Sequence, residues 1–390
     1  MPSKTSTLRP LLLLASILLM IAACHRYFGG VTEAVENILT PRTPRQDFAH
    51  DSLRSDSGDA LVAAWDSAYL RALTDTLRVD LPYRERFRYP ASLELSASSV
   101  RFYLPPGRQL TATVRPDSSG GPVFGELFAV GDPAVPDARD ALLRWSPDRP
   151  RITYESDRVG GQELLLVVQT PPGNGSHYEL TLQTTPALTF PVADASVRNI
   201  QSFWGDSRSG GQRRHEGNDI FAPRGTPLIA VADGRVRSTK TGGLGGKTVW
   251  LRDGEGRGLT YYYAHLDSQL VRAGQSVSRG DTIGLVGNTG NARTTPPHLH
   301  FGIYRNGARD PYSYLRGPDG EGPTVRYPLQ DPPDAVPERG RHYLRYRPDR
   351  DRTVVVRELT NTEPITVLGV TERYYRIRTA AGETGFANFD

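Results

Sequence analysis

The chain of 390 residues holds a single cysteine, so no internal disulfide can form and no metal site built on several thiolates is available. Charge of one sign is also scarce. Lys+Arg 47 against Asp+Glu 43 leaves a formal charge of +4, which argues against a nucleic-acid binder with a concentrated basic face. The apolar run over residues 11–23 is 13 residues long, too short to cross a bilayer as a helix. What is abundant is turn-forming sequence: Gly 39 and Pro 31 favour a turn-rich, mainly β structure. Hydrophobic residues at 37% supply enough apolar surface for cores, which excludes disorder throughout. At ~100–200 residues per domain, two or three domains are expected.

Lys4 and Arg9 precede the apolar run, which ends in Ile21-Ala22-Ala23-Cys24. Small residues before the only cysteine resemble a bacterial lipoprotein signal with its lipobox. The resemblance implies a signal peptide over 1–23, lipidation of Cys24, and a membrane partner reached through the lipid. His25, rather than an acidic residue, follows the cysteine. By the best-known sorting rule that implies an envelope lipoprotein of the outer rather than the inner membrane.

Residues 24–84 read as a tether and one helix. Residues 40–58, rich in Pro, Arg, Asp and Ser, are expected to be extended or disordered. Ser57-Gly58-Asp59 offers N-cap chemistry, and Leu61, Trp65, Ala68 and Ala72 follow at helical spacing beside Tyr69 and Leu73. Residues 85–190 alternate as short strands, for example Leu110, Ala112 and Val114, with turns such as Pro105-Pro106-Gly107 between them. The pattern predicts an antiparallel β-sandwich. Residues 191–316 are again strand-like and glycine-rich, and 317–340 form a Pro-rich linker. Residues 341–390 alternate once more and resemble a bacterial SH3-like domain, a small barrel, through Arg373-Tyr374-Tyr375-Arg376-Ile377-Arg378 and Gly385-Phe386.

Four of the 8 histidines, His215, His265, His298 and His300, fall within 86 residues. In His298-Leu299-His300 the two rings share one strand face, because side chains alternate with period two. In His215-Glu216-Gly217-Asn218-Asp219 the glycine and asparagine argue against a helix, and an extended backbone points His215 and Asp219 the same way. The helical H-E-x-x-H motif is absent, since its fifth position is Asp219. Tyr261-Tyr262-Tyr263-Ala264-His265-Leu266 is a strand that would carry His265 on the face of Tyr261 and Tyr263. Two imidazoles and a carboxylate are donors suited to zinc with one position open to water. Gly242-Gly243-Leu244-Gly245-Gly246 lacks the first glycine of a Walker loop, which would fall at Thr241, and reads as a hairpin turn.

Taken together these residues resemble the LytM/lysostaphin-type zinc metallopeptidases, which cut peptide bonds in bacterial cell walls. Ala222-Pro223-Arg224-Gly225-Thr226-Pro227, Ala232-Asp233-Gly234 and Gly287-Asn288-Thr289-Gly290 add to the likeness, which covers roughly a third of the chain. The resemblance implies that His215, Asp219 and His300 bind zinc, that His265 and His298 are catalytic and unligated, and that 191–316 is the metallopeptidase domain. The implied fold is a compact antiparallel sheet crossed by a groove. Zinc would acidify a water and polarise the scissile carbonyl. The implied partner is peptidoglycan, cut in its stem peptides or cross-links. The alternative is a lipoprotein that binds the wall and regulates another hydrolase without cutting.

Overall fold

The computed structural model describes residues 42–53, 59–88, 96–116, 121–131, 136–145, 147–156, 160–172, 177–320 and 322–390. The signal, Cys24 and most of the tether lie outside them. Among the described residues no helix is long and apolar enough to cross a membrane. Within the segment expected to be extended, residues 44–53 are instead helical. Thr43 caps α1 (Pro44–Phe48), exchanging hydrogen bonds reciprocally with Gln46, and Pro44 supplies a preset φ in the first turn. The second helix, α2 (Asp59–Thr74), buries Trp65, Ala68, Tyr69, Ala72 and Leu73 on one stripe.

Eight strands follow in the segment expected to be a sandwich: β1 (Tyr83–Arg88), β2 (Ala97–Leu104), β3 (Arg108–Pro116), β4 (Phe124–Ala129), β5 (Leu143–Trp145), β6 (Arg151–Glu155), β7 (Gln162–Gln169) and β8 (His177–Pro186). Strands β2, β7, β4 and β5 form one antiparallel sheet, while β1, β8, β3 and β6 belong to another. The alternating Leu110, Ala112 and Val114 of β3 face Leu164, Leu166 and Val168 of β7 in a shared core.

The histidine-bearing segment supplies β9 (Ile200–Ser202), β10 (Ser207–Arg208), β11 (Arg213–Arg214), β12 (Asn218–Phe221), β13 (Pro227–Ile229), β14 (Gly234–Thr241), β15 (Lys247–Asp253), β16 (Thr260–Leu266), β17 (Ser268–Gln269), β18 (Ser276–Val277), β19 (Thr282–Leu285), β20 (His298–Tyr304) and β21 (Ala308–Arg309). Its main antiparallel sheet runs in the order β18-β14-β15-β16-β20-β12-β9. One face of that sheet is a core of residues such as Val249, Leu251, Tyr261, Tyr263, Phe301 and Ile303. The other face carries His300, Tyr262 and Tyr304 and lines the groove.

The C-terminal strands are β22 (His342–Arg345), β23 (Val355–Leu359), β24 (Ile365–Thr371), β25 (Tyr374–Thr379) and β26 (Thr384–Ala387). They lie in one continuous nine-stranded sheet with the sandwich strands, because β24 pairs with the edge of β1. Tyr374 and Phe386 enter the sandwich core. The C-terminal segment thus shares a sheet and part of its core with the module before the histidine-bearing segment.

Candidate active site

Three structural devices bring the site together. The first is the pairing of β12 with β20, which sets Asp219 directly opposite His300 and Phe221 opposite His298. Opposed residues share a face, so Asp219, His298 and His300 project into the groove together. Phe221 stacks on His298 at 4.9 Å between ring centroids.

The second device is the bend at Gly217. His215 lies outside β12, in irregular backbone, rather than on the same extended strand as Asp219. A methyl group at Gly217 would stand 2.5 Å from the Phe301 carbonyl, so the chain passes β20 too closely for any side chain. The bend turns His215 back over β20, where its N–H donates to the Asp206 carbonyl.

The third device corrects the alternation expected of β16. Tyr261 and Tyr263 are buried in the core, and simple alternation would send His265 after them. His265 instead has φ of +65°. This left-handed conformation turns the ring into the groove, 5.1 Å from His298 and 5.9 Å from His300. The Gly245 carbonyl holds it there by accepting the His265 N–H at 2.8 Å. Residues 242–246 are indeed the hairpin turn from β14 to β15, closed by the Gly242 N–H to the Gly246 carbonyl.

The resulting donor set is tight. His215 Nε2 lies 3.0 Å from Asp219 Oδ1 and 2.9 Å from His300 Nδ1, and His300 Nδ1 lies 2.9 Å from Asp219 Oδ1. Among the described residues this is the group of histidine and acidic side chains close enough to share one ion. His215 Nδ1 donates to the Phe203 carbonyl at 2.8 Å; a carbonyl only accepts, so the proton of the neutral ring sits on Nδ1. That leaves the Nε2 lone pair facing a carboxylate oxygen, a repulsive contact unless a proton or a cation stands between them. Two imidazole nitrogens and one carboxylate oxygen at these separations fit zinc, whose N and O ligands stand ~2.0–2.2 Å away.

Electrostatics points the same way. Burial pushes the Asp219 carboxyl up, but its contacts with His215 and His300 outweigh that and hold it far below the usual carboxylate range. Burial lowers His300 despite its contact with Asp219. Burial, then the neighbouring His298 and His300, push His265 down to about 4. His265 Nδ1 donates to the Thr289 carbonyl and His298 Nδ1 to the Pro296 carbonyl, both at 2.9 Å. In each neutral ring the unprotonated nitrogen is therefore Nε2.

Arg208 is a site residue that the sequence did not disclose. Its Nη2 donates to Asp219 Oδ2 at 2.8 Å, fixing the carboxylate so that Oδ1 faces the two histidines. It stands eleven residues upstream on the short β10–β11 ribbon, and no local periodicity links it to Asp219. The groove has a volume of about 800 Å³ and is lined by all five predicted residues with Arg208 at its wall. Cys24, the predicted lipidation site, lies outside the described residues.

Residues 213–311 match the model of peptidase family M23. The chain is 38% identical over 140 residues to an L-Ala–D-Glu endopeptidase of Bacillus subtilis, an overlap of 33% of this chain and 42% of that protein. It is 40% identical over 97 residues to the peptidoglycan DD-endopeptidase ShyC of Vibrio cholerae, covering 24% of this chain and 21% of ShyC. A solved structure of LytU aligns at 34% identity and a TM-score of 0.28, over 30% of this chain and 83% of that one. The chain spans less than half the length of the two curated relatives. The mainly antiparallel β segment that holds the groove is thus the part of the chain that matches peptidase family M23.

Proposed function

We propose that this protein is a zinc-dependent endopeptidase that hydrolyses peptide bonds in the stem peptides or cross-links of peptidoglycan. The observation that carries the reading is the triangle of His215 Nε2, Asp219 Oδ1 and His300 Nδ1, with donors about 3 Å apart and two further histidines on the same groove. His215, Asp219 and His300 would hold the metal, which supplies Lewis-acid polarisation and the acidification of a water. His265 and His298 do the proton work. Each presents a neutral Nε2 that can take a proton from water, while its Nδ1 stays tied to a backbone carbonyl. Once protonated, the same Nε2 becomes a donor, able to stabilise a developing oxyanion or pass the proton to the leaving amine. The names of the curated relatives, an L-Ala–D-Glu endopeptidase and a DD-endopeptidase, support a wall-peptide substrate. Lipidation at Cys24 would hold the enzyme at the envelope, on the outer membrane, and the C-terminal strands would hold wall polymer near the groove.

The test is digestion of purified peptidoglycan by the full mature protein with zinc, or with a chelator, and identification of the products by mass. Zinc-dependent release of fragments with new peptide termini is expected. His300→Ala should lose the metal; His298→Ala should keep it and lose ~10²–10⁴-fold in turnover. Zinc-loaded protein that releases no peptide-cleaved fragment would refute the activity. Loss of zinc from His298→Ala would refute the division of roles.

A further inference from the structure

The groove does not end at the histidines. Beyond His300 lie Tyr262 and Trp250 on the neighbouring strands β16 and β15, and Tyr304 farther along β20 itself. Tyr262 meets His300 edge-on at 5.8 Å, Trp250 packs on Tyr262 at 4.3 Å, and Tyr304 lies 5.2 Å from Trp250. This aromatic floor leads into a second depression of about 820 Å³, which shares Tyr304 with the catalytic groove. Four arginines line it: Arg235, Arg237, Arg252 and Arg305. No acidic side chain does.

That clustering is unfavourable for the isolated fold. Arg235 and Arg252 are direct cross-strand partners on β14 and β15, and like charges placed so are destabilising. A bulge between Val236 and Ser238 leaves Arg237 unpaired in the ladder and keeps it on the same depression. Among the described residues, Arg235, Arg237 and Arg252 make no ion pair; the Gly274 carbonyl accepts from Arg235 Nε. Other arginines of the chain do pair with acids, as in Arg257 with Glu155, Arg279 with Glu255 and Arg357 with Glu363.

The geometry points to a carboxylate-binding subsite on β14 and β15, which engages stem-peptide carboxylates of the wall segment flanking the bond held in the groove. The inference rests on the proposed activity for its substrate. It stands on charge complementarity and on continuity with the groove through Tyr304. Planar guanidinium forks match carboxylates in a bidentate manner, and the aromatic floor offers flat faces to the intervening chain. Arg237 and Arg252 form the outer part of this subsite and touch neither the proposed metal ligands nor the proton-transfer histidines.

The experiment compares the zinc-loaded full protein with Arg237→Gln/Arg252→Gln, first matched by thermal melting. Binding is measured by cosedimentation on ice with sacculi, unstripped or stripped of phosphate polymers, the carboxylates of the stripped ones either free or amidated. Cleavage is measured on a short peptide that carries the scissile bond and no free carboxylate. The variant should bind free-carboxylate sacculi about tenfold more weakly, with the difference erased by amidation or by high salt. Its kcat/KM on the short peptide should match the wild type. Equal binding by wild type and variant, a deficit that survives amidation, a wild type that binds only unstripped sacculi, or a parallel fall in short-peptide cleavage would each overturn the subsite. If the wild type cuts no peptide while the binding differences appear as expected, the subsite stands and the proposed activity falls.

Discussion

His265 combines two unfavourable features at one position. Its backbone is left-handed, and its ring is buried among other imidazoles. Strain of this kind, which costs on the order of 1–3 kcal/mol, persists where the surroundings over-determine it, here through Gly245 and Thr289. Burial, with the neighbouring imidazoles, pushes the ring down to about 4 in the folded protein from the usual ~6.5 of a free imidazole. Between those pH values the unfolded chain binds a proton that the folded chain does not. The unfolding free energy of the metal-free protein should therefore fall as pH drops through this window. In His265→Asn, which keeps a residue type tolerant of positive φ, the fall between pH 7 and 4.5 should be smaller by about 2–3 kcal/mol. Urea denaturation at the two pH values measures it; identical slopes would show that the ring is not desolvated. At this scale the residue types of the site were legible, because two histidines at i and i+2 share a strand face whatever surrounds them. The direction of His265 was not, since alternation assigns it to the core face and only its left-handed backbone reverses that.

Among the elements, the β12–β20 pair has the greatest leverage on the site. Its register places Asp219 against His300, and a slip of one residue would turn Asp219 to the other face. Gly217 permits the approach. A Cβ there would meet the Phe301 carbonyl at 2.5 Å and His300 Nε2 at 2.9 Å, with rigid strand backbone on one side. Gly217→Ala should weaken zinc binding at least ~10-fold and destabilise the fold by ~1–3 kcal/mol. Gly131→Ala, where a Cβ meets nothing within 4 Å, serves as the control. Zinc titration and thermal melting of both variants decide the matter; matching affinities would mean that the strands can separate at no cost. The helix over 59–74 and the strands of the sandwich were foreseeable from their spacing, because one face of each is apolar. The helical turns over 44–53 were not, since they rest on the Thr43 cap rather than on an apolar stripe.

On the scale of the whole molecule, the sandwich meets the peptidase domain away from the histidines. Arg257, in the turn that starts β16, binds Glu155 of β6 through Nε and Nη2. His265 stands near the far end of β16, five residues or ~17 Å along the strand from its start at Thr260. A second tie is Arg108 of β3, fully buried, which donates to the Arg316 carbonyl at the end of that domain and to the Gly317 carbonyl just beyond it, and lies beside Asp319. Arg257→Ala should lower stability by about 1–3 kcal/mol by leaving Glu155 unpaired, and should leave turnover of a short peptide unchanged. Calorimetry and a peptide assay read the two effects; a large fall in turnover would mean that the docked sandwich shapes the groove.

The amino-acid sequence by itself determined which chemistry is available: three imidazole-bearing segments, one acid at the right offset, and strand-forming residues around them. It also determined the mainly β class, because alternation and turn residues act within a few positions of each other. Tertiary structure decided what depends on partners distant in the chain. The cross-strand register gathered four arginines beside the groove, the β10–β11 ribbon brought Arg208 to Asp219, and the exposed edge of β1 took up β24. The reason is physical: periodicity is a local property of the backbone, whereas register, edge pairing and the direction of a strained residue are set by what packs against them.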